Sequence, residues 1–172
     1  FFQSLLQGQA FGLAVDDRPL PVELPGAQIK ERKRAAQIFL HGVLFRHDVG
    51  DAESLRADPE TLRRLGIEVF EVARGGDFTW HGPGQLVGYL ICDLTARDRD
   101  LRRFLRDLEQ GLIAALRGWG LDGEAIPGRT GVWVGGEKIA SIGVAVRRWV
   151  SYHGFALNVA PDLRFFDLIH PC

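Results

Sequence analysis

The sequence predicts an α+β domain with a mixed, largely antiparallel sheet flanked by helices. Three observations carry this expectation. Apolar residues recur at three- and four-residue steps across residues 100–119, the period of an amphipathic helix. Most of the second half reads as short strand-like runs joined by glycine turns. Strands and helices do not alternate regularly, as a doubly wound parallel sheet would require.

Taken in order, residues 16–34 (DDRPLPVELPGAQIKERKR) are rich in proline and charge and read as a surface loop leading into a basic helical stretch. The basic run 30–34 reads more readily as a solvated helix face than as an interaction patch. Residues 37–45 (QIFLHGVLF) predict a strand. Asp58-Pro59 predicts a helix start, with Asp58 as N-cap and Pro59 at the first helical position, and Gly66 predicts its end. Residues 67–72 (IEVFEV) alternate as a strand does, and residues 86–94 predict another. In the long helix, Leu101, Phe104, Leu105, Leu108, Leu112, Ala115 and Leu116 form the core stripe, ended by Gly118 and Gly120. Residues 131–134, 138–146 and 150–159 follow as strands, with Gly135-Gly136 as the tight turn between the first two.

Between two of these strands lies the densest signal in the chain, residues 74–88 (RGGDFTWHGPGQLVG), with five glycines, a proline, an arginine and a histidine. Gly75-Gly76 permits close approach of a ligand to the backbone, and Gly82-Pro83-Gly84 is a turn signal. A plain Gly-rich hairpin is the alternative. Arg74 could pair with a phosphate, yet the loop matches neither a dinucleotide fingerprint nor a P-loop.

At 172 residues, the chain suits one domain with a full core. Apolar residues make up 46% and charged residues 25%, values of an ordinary globular protein. A net charge of -1 argues against a general nucleic-acid binder, and no apolar run is long enough to span a bilayer. The N-terminal stretch lacks the basic-then-apolar pattern of a signal peptide. Two cysteines, Cys92 and Cys172, make no disulfide framework, so a reducing, cytoplasmic setting is expected. The chain does not open with methionine and stops at Cys172 directly after a proline, so a further C-terminal segment is expected. Of 21 basic residues, only Lys30, Lys33 and Lys138 are lysines. Arginine stays protonated, whereas lysine can exchange a proton, which singles out Lys138.

Cys172 follows Ile169-His170-Pro171. A cysteine attacks a carbonyl or thioester when its thiolate is populated, and one ammonium about 4 Å away achieves that at neutral pH. Lys138 is the candidate for that ammonium. Taken alone, Cys172 reads more readily as an inert buried thiol, as does Cys92 in the apolar run LICDL. His81 in the glycine-rich loop and His153 beside Gly154 suit proton transfer or a structural hydrogen bond equally well. His81, His153, His170 and Cys172 match no compact metal spacing, so no metal is expected. His41 and His47 carry no signal.

RGGDFTWHGPGQLVGYLI resembles the signature of the lipoyl(octanoyl) transferases, also called lipoate–protein ligase B. GVWVGGEKIASIGVAV, VSYHGFALNV and DLIHPC follow in the same order, so the resemblance covers roughly residues 62–172. The first sixty residues match poorly, with FRHDVG where the family has a Leu-Gly-Arg turn. The resemblance implies a fold similar to the biotin/lipoate ligase catalytic domain, here as a single catalytic domain over residues 1–172. It implies Cys172 as the acyl-thioester nucleophile and Lys138 as its activator and proton carrier. Arg74, Gly75, Gly76, Asp77, Phe78, Thr79, Trp80, His81, Ser141, Ile142, Gly143, Gly154, Phe155 and Ala156 would line the acyl pocket. The chain departs from the family at Asp77-Phe78 (usually Gln-Val), Trp80 (usually Tyr) and Ser141 (often Ala), which bears on acyl length.

The implied activity moves an octanoyl group from octanoyl-acyl carrier protein to a lysine of lipoyl domains. Those domains belong to the 2-oxoacid dehydrogenase complexes and the glycine cleavage H protein. No cofactor, nucleic acid or membrane is implied. The residues themselves fit: a narrow apolar slot suits Gly75, Gly76, Gly143 and Gly154, and glycine-flanked turns offer N–H donors to an oxyanion. Two alternatives are an ATP-dependent lipoate/biotin-type ligase, which needs no cysteine, and a non-catalytic carrier-protein binding module.

Overall fold

Asp58 starts a helix for the reason its side chain suggests. The structure, a computed structural model, describes residues 36–37, 42–47, 54–72 and 78–170. In it α1 spans Pro59–Leu65, and the Asp58 carboxylate accepts the N–H groups of Glu60 and Thr61 at 2.9 and 2.8 Å. Gly66 sits at φ 66 and Ile67 N–H returns to Leu62 O, a Schellman closure. The Thr61 hydrogen bonds hold the Asp58 carboxyl below its ordinary value. Its folded-state value is thus depressed, so this cap contributes fully above the ordinary 3.8 and is lost as pH falls below it. Asn caps without titrating. Asp58→Asn is therefore expected to leave the urea midpoint nearly unchanged at neutral pH and to lose less of it at about pH 3. Urea titrations at both pH values check this.

α1 connects two parallel strands, β2 (Val43–His47) and β3 (Glu68–Val72), as a βαβ crossover. Strand β4 (Thr79–His81) pairs antiparallel on the other side of β2, completing a three-stranded sheet of order β3-β2-β4. Its core holds Leu44, Leu62, Ile67, Phe78, Trp80 and Ile169. Trp80 is fully buried, stacked on Phe165 at 5.1 Å and met edge-on by Phe166. These two phenylalanines come from a 3-10 turn, Leu163–Leu168, capped by Asp162.

The second sheet has five strands and is antiparallel throughout, in the order β1-β5-β8-β7-β6. Its members are β1 (Ala36–Gln37), β5 (Gln85–Tyr89), β6 (Val132–Val134), β7 (Glu137–Arg147) and β8 (Val150–Asn158). Gly135 and Gly136, at φ 60 and 84, form the two-residue turn of β6–β7, as the sequence predicts. The β7–β8 turn places Arg148 and Trp149 in the same left-handed region without glycine. Between β5 and β6 runs α2, Leu101–Arg117, capped by Asp100. It buries Phe104, Leu108, Leu112, Ile113 and Leu116, together with one charged residue, Glu109. All described residues belong to one unit, Ala35–Cys172.

Three expectations need correction, and one alternative falls. The strand expected over 37–45 divides into β1 and β2, which join different sheets. The glycine-rich segment is no hairpin: β4 and β5 also lie in different sheets, and Gly82-Pro83-Gly84 carries the chain from one to the other. The strand expected to reach residue 94 stops at Tyr89; beyond it Leu90, Ser151 and Leu94 N–H still bond to the carbonyls of His153, Cys92 and Trp149, and the Ser151 hydroxyl fills in between them. That hydroxyl donates to Leu90 O at 2.8 Å and accepts from Cys92 N–H at 3.0 Å, so Cys92 is half-buried outside any strand. In the α2 stripe, Leu101 and Leu105 are only half-buried and Ala115 is exposed, while Ile113 is in the core. The basic run 30–34, the loop at 16–34 and His41 lie outside the described residues.

Candidate active site

Strand register brings two of the sequence-predicted segments face to face. Ser141, Ile142 and Gly143 on β7 lie directly opposite Ala156, Phe155 and Gly154 on β8. Strand β5 continues the rows with Val87, Gly88 and Tyr89. Side chains directly opposite share a face, so Gly143, Gly154 and Tyr89 form one row and Ile142, Phe155 and Gly88 the next. A Cβ on Gly88 would fall inside the Phe155 ring. A Cβ on Gly154 would fall on the Gly88 carbonyl oxygen and reach Leu90 Cδ1 at 2.9 Å. Among the described neighbours, these two glycines answer to the close approach of β5 and β8. Tyr89, partly buried at the end of the row, has its phenol pushed up by burial and stays a neutral donor across the physiological range.

On β4 the period of two separates the predicted residues. Phe78 and Trp80 point into the core of the small sheet, whereas Thr79 and His81 are half-buried on its other side. Gly82 is glycine because the Trp80 indole lies where its Cβ would be. Gln85 is buried at 5% exposure and links this strand to the large sheet. Its Nε2 donates to Asn158 Oδ1 at 2.7 Å, which leaves Oε1 to accept. His81 Nδ1 lies 3.1 Å from Oε1 and with that amide orientation is the donor. The sequence reading passed over Gln85 and Asn158. The available signal was a polar residue inside each of two apolar strand runs, where burial demands a partner.

Lys138 stands at the start of β7, directly opposite Trp133 on β6, with its Nζ 5.0 Å from the indole centroid. His153, one residue before Gly154, holds φ 64 within a strand, and its carbonyl accepts Leu90 N–H at 2.7 Å. Beyond β8, Leu55 bridges Ile169, and His170 N–H donates to Ser54 O at 2.8 Å. The chain is thereby tied down beside β4 just before Cys172. Arg74, Gly75, Gly76, Asp77 and Cys172 themselves lie outside the described residues. Among the described residues, no group of His, Cys, Asp or Glu could hold a metal ion.

The family described as the lipoyl protein ligase A/B catalytic domain matches residues 48–171. An octanoyltransferase of Citrifermentans bemidjiense is 57% identical over 147 residues, covering 85% of this chain and 69% of that protein. The chain belongs to the octanoyltransferase family. Octanoyltransferases are acyltransferases of protein lipoylation. A second relative, the octanoyltransferase of Geobacter sulfurreducens, is 56% identical over 117 residues, covering 68% of this chain and 50% of that protein. The chain thus spans between half and about two thirds of the length of these two octanoyltransferases. A bi-partite lipoate protein ligase from Thermoplasma acidophilum, solved as part of a study that includes its E2 lipoyl domain, has a TM-score of 0.62 at 22% identity. That likeness covers 75% of this chain and 50% of that one, and it shows the α+β fold expected from the sequence.

Proposed function

We propose that this chain is the catalytic domain of an octanoyltransferase acting through an acyl-cysteine at Cys172, with Lys138 as proton carrier. The identity of 57% over 147 residues with a named octanoyltransferase carries the reading. Strand register supports it by setting Ser141–Gly143 against Gly154–Ala156. The donor is octanoyl-acyl carrier protein, and the acceptor is a lysine of a lipoyl domain, of a 2-oxoacid dehydrogenase complex or of the glycine cleavage H protein. The reducing cytoplasm is where a free nucleophilic thiol and these partners would meet. Among the described residues, no helix is long and apolar enough to cross a membrane.

The Cys172 thiolate attacks the thioester carbonyl, and the bond from that carbon to the carrier's sulfur breaks. The Lys138 ammonium gives its proton to the departing thiolate, leaving a neutral amine. The incoming lysine attacks the acyl-cysteine as a neutral amine, and the Lys138 amine takes the one proton its nitrogen sheds. An amide forms and the Cys172 thiolate leaves, restoring the starting state. Proton transfers balance over the two half-reactions. The thioester is already activated, so the scheme calls for no nucleotide. Arg74–Asp77, Thr79 and His81 complete the acyl-binding walls in this proposal.

The test is octanoyl transfer from octanoyl-acyl carrier protein to an apo lipoyl domain without ATP. Turnover is expected. Dependence on ATP with free octanoate as donor would establish a ligase instead, and carrier binding without turnover would establish a binding module.

A further inference from the structure

We propose that Trp133 is a positioning residue for Lys138, its indole face seating the ammonium that serves the acyl transfer. This rests on the reading of Lys138 as the proton carrier given above.

The seat is built by strand register. Leaving the Gly135-Gly136 turn, Val134 pairs with Glu137 and Trp133 with Lys138, but Val132 then pairs with Ala140. Ile139 is the extra residue of a β-bulge. In a regular ladder continued from Val132 and Ala140, Trp133 would face Ile139. The bulge gives it Lys138 instead, on the same face. Burial records the break: Ile139 and Ala140 are consecutive, yet both lie in the core. Bulges commonly re-aim a side chain beside a site.

The platform is rigid. Trp133 is 4% exposed, and its N–H and C=O both bond to Glu124, at 2.9 and 2.8 Å. The Lys138 Nζ lies 5.0 Å from the ring centroid, inside the roughly 6 Å range of a cation–π contact. The lysine stem crosses bare backbone at Gly131, where an added Cβ would meet Ala140 O at 2.7 Å and Lys138 Cε at 3.4 Å. Gly131 holds φ 142, and its N–H donates at 3.0 Å to the carboxylate of Glu109. Glu109 is fully buried on α2 and also paired with Arg106. A charged residue in the core stripe of α2 thus fixes the edge of the lysine's seat.

A lysine has a flexible four-carbon stem, and its ammonium can be delivered to many places. An aromatic face attracts the charged form and limits where it goes. Replacing Trp133 in the full-length protein with tryptophans of increasing fluorination keeps the ring's shape and drains the negative charge from its face. The expected result is a stepwise fall in kcat, reaching about tenfold for the most fluorinated ring, with KM unchanged. A purely structural tryptophan would give a flat series, and a flat series overturns the proposal. Lys138→Ala in the same assay separates the two claims. If it retains full activity, the proton-carrier reading fails; if it is inactive while the fluorinated series is flat, only the role of Trp133 fails.

Discussion

Lys138→Arg is expected to slow complete octanoyl transfer by about a hundredfold or more, the usual worth of a general acid–base group. Arginine keeps the positive charge and stacks on aromatic rings, so the Trp133 platform can still hold it. What arginine cannot do is deprotonate. In the first half-reaction solvent can replace Lys138 as proton donor, because a thiolate is already a good leaving group, whereas the second needs a neutral amine to take a proton from the acceptor lysine. The substitution is therefore expected to spare acyl-enzyme formation more than its discharge. Rapid-quench measurement of the two half-reactions checks this. Loss in neither half-reaction would show that proton transfer is not the contribution of Lys138.

Gly154→Ala is expected to destabilise the fold by about 3 kcal/mol, the upper part of the range for overpacking a close-packed interior. The obstacle is the Gly88 carbonyl, part of the ladder between β5 and β8, which cannot rotate aside as a side chain could. Leu90 closes the same space at 2.9 Å. Gly111, mid-way along α2 with nothing within 4 Å of its missing Cβ, supplies the contrast. Gly111→Ala is expected to stabilise by roughly 0.5–1 kcal/mol through helix propensity. Urea denaturation of both variants reads the opposite signs directly.

Local chemistry was legible in the chain. Asp58-Pro59 and Gly66 bounded α1 as read, and Gly135-Gly136 gave the β6–β7 turn, because caps and turns are set by neighbours in sequence. Pairing partners were not legible. Nothing in TWH and QLVGY says that β4 joins β2 while β5 joins β8, since alternation marks a strand but not its sheet. Phe78 and Trp80 read as walls of an acyl pocket, yet their side chains fill the core over Phe165 and Phe166, a contact spanning some 85 residues of sequence. Glu109 was hidden for the opposite reason. A carboxylate in an apolar stripe looks like a solvated turn of helix until Gly131 brings it a backbone donor. The candidate site residues followed the same division. The segments carrying Ser141 and Gly154 stood out by motif, whereas Gln85 and Trp133 emerged only from what they touch.

The central claim is a covalent octanoyl-cysteine at Cys172, and intact-mass spectrometry after incubation with octanoyl-acyl carrier protein tests it most directly. The account predicts the gain of one octanoyl group, released by hydroxylamine, mapped to Cys172 and absent from Cys172→Ala. No adduct during active transfer, or an undiminished adduct in Cys172→Ala, would contradict it.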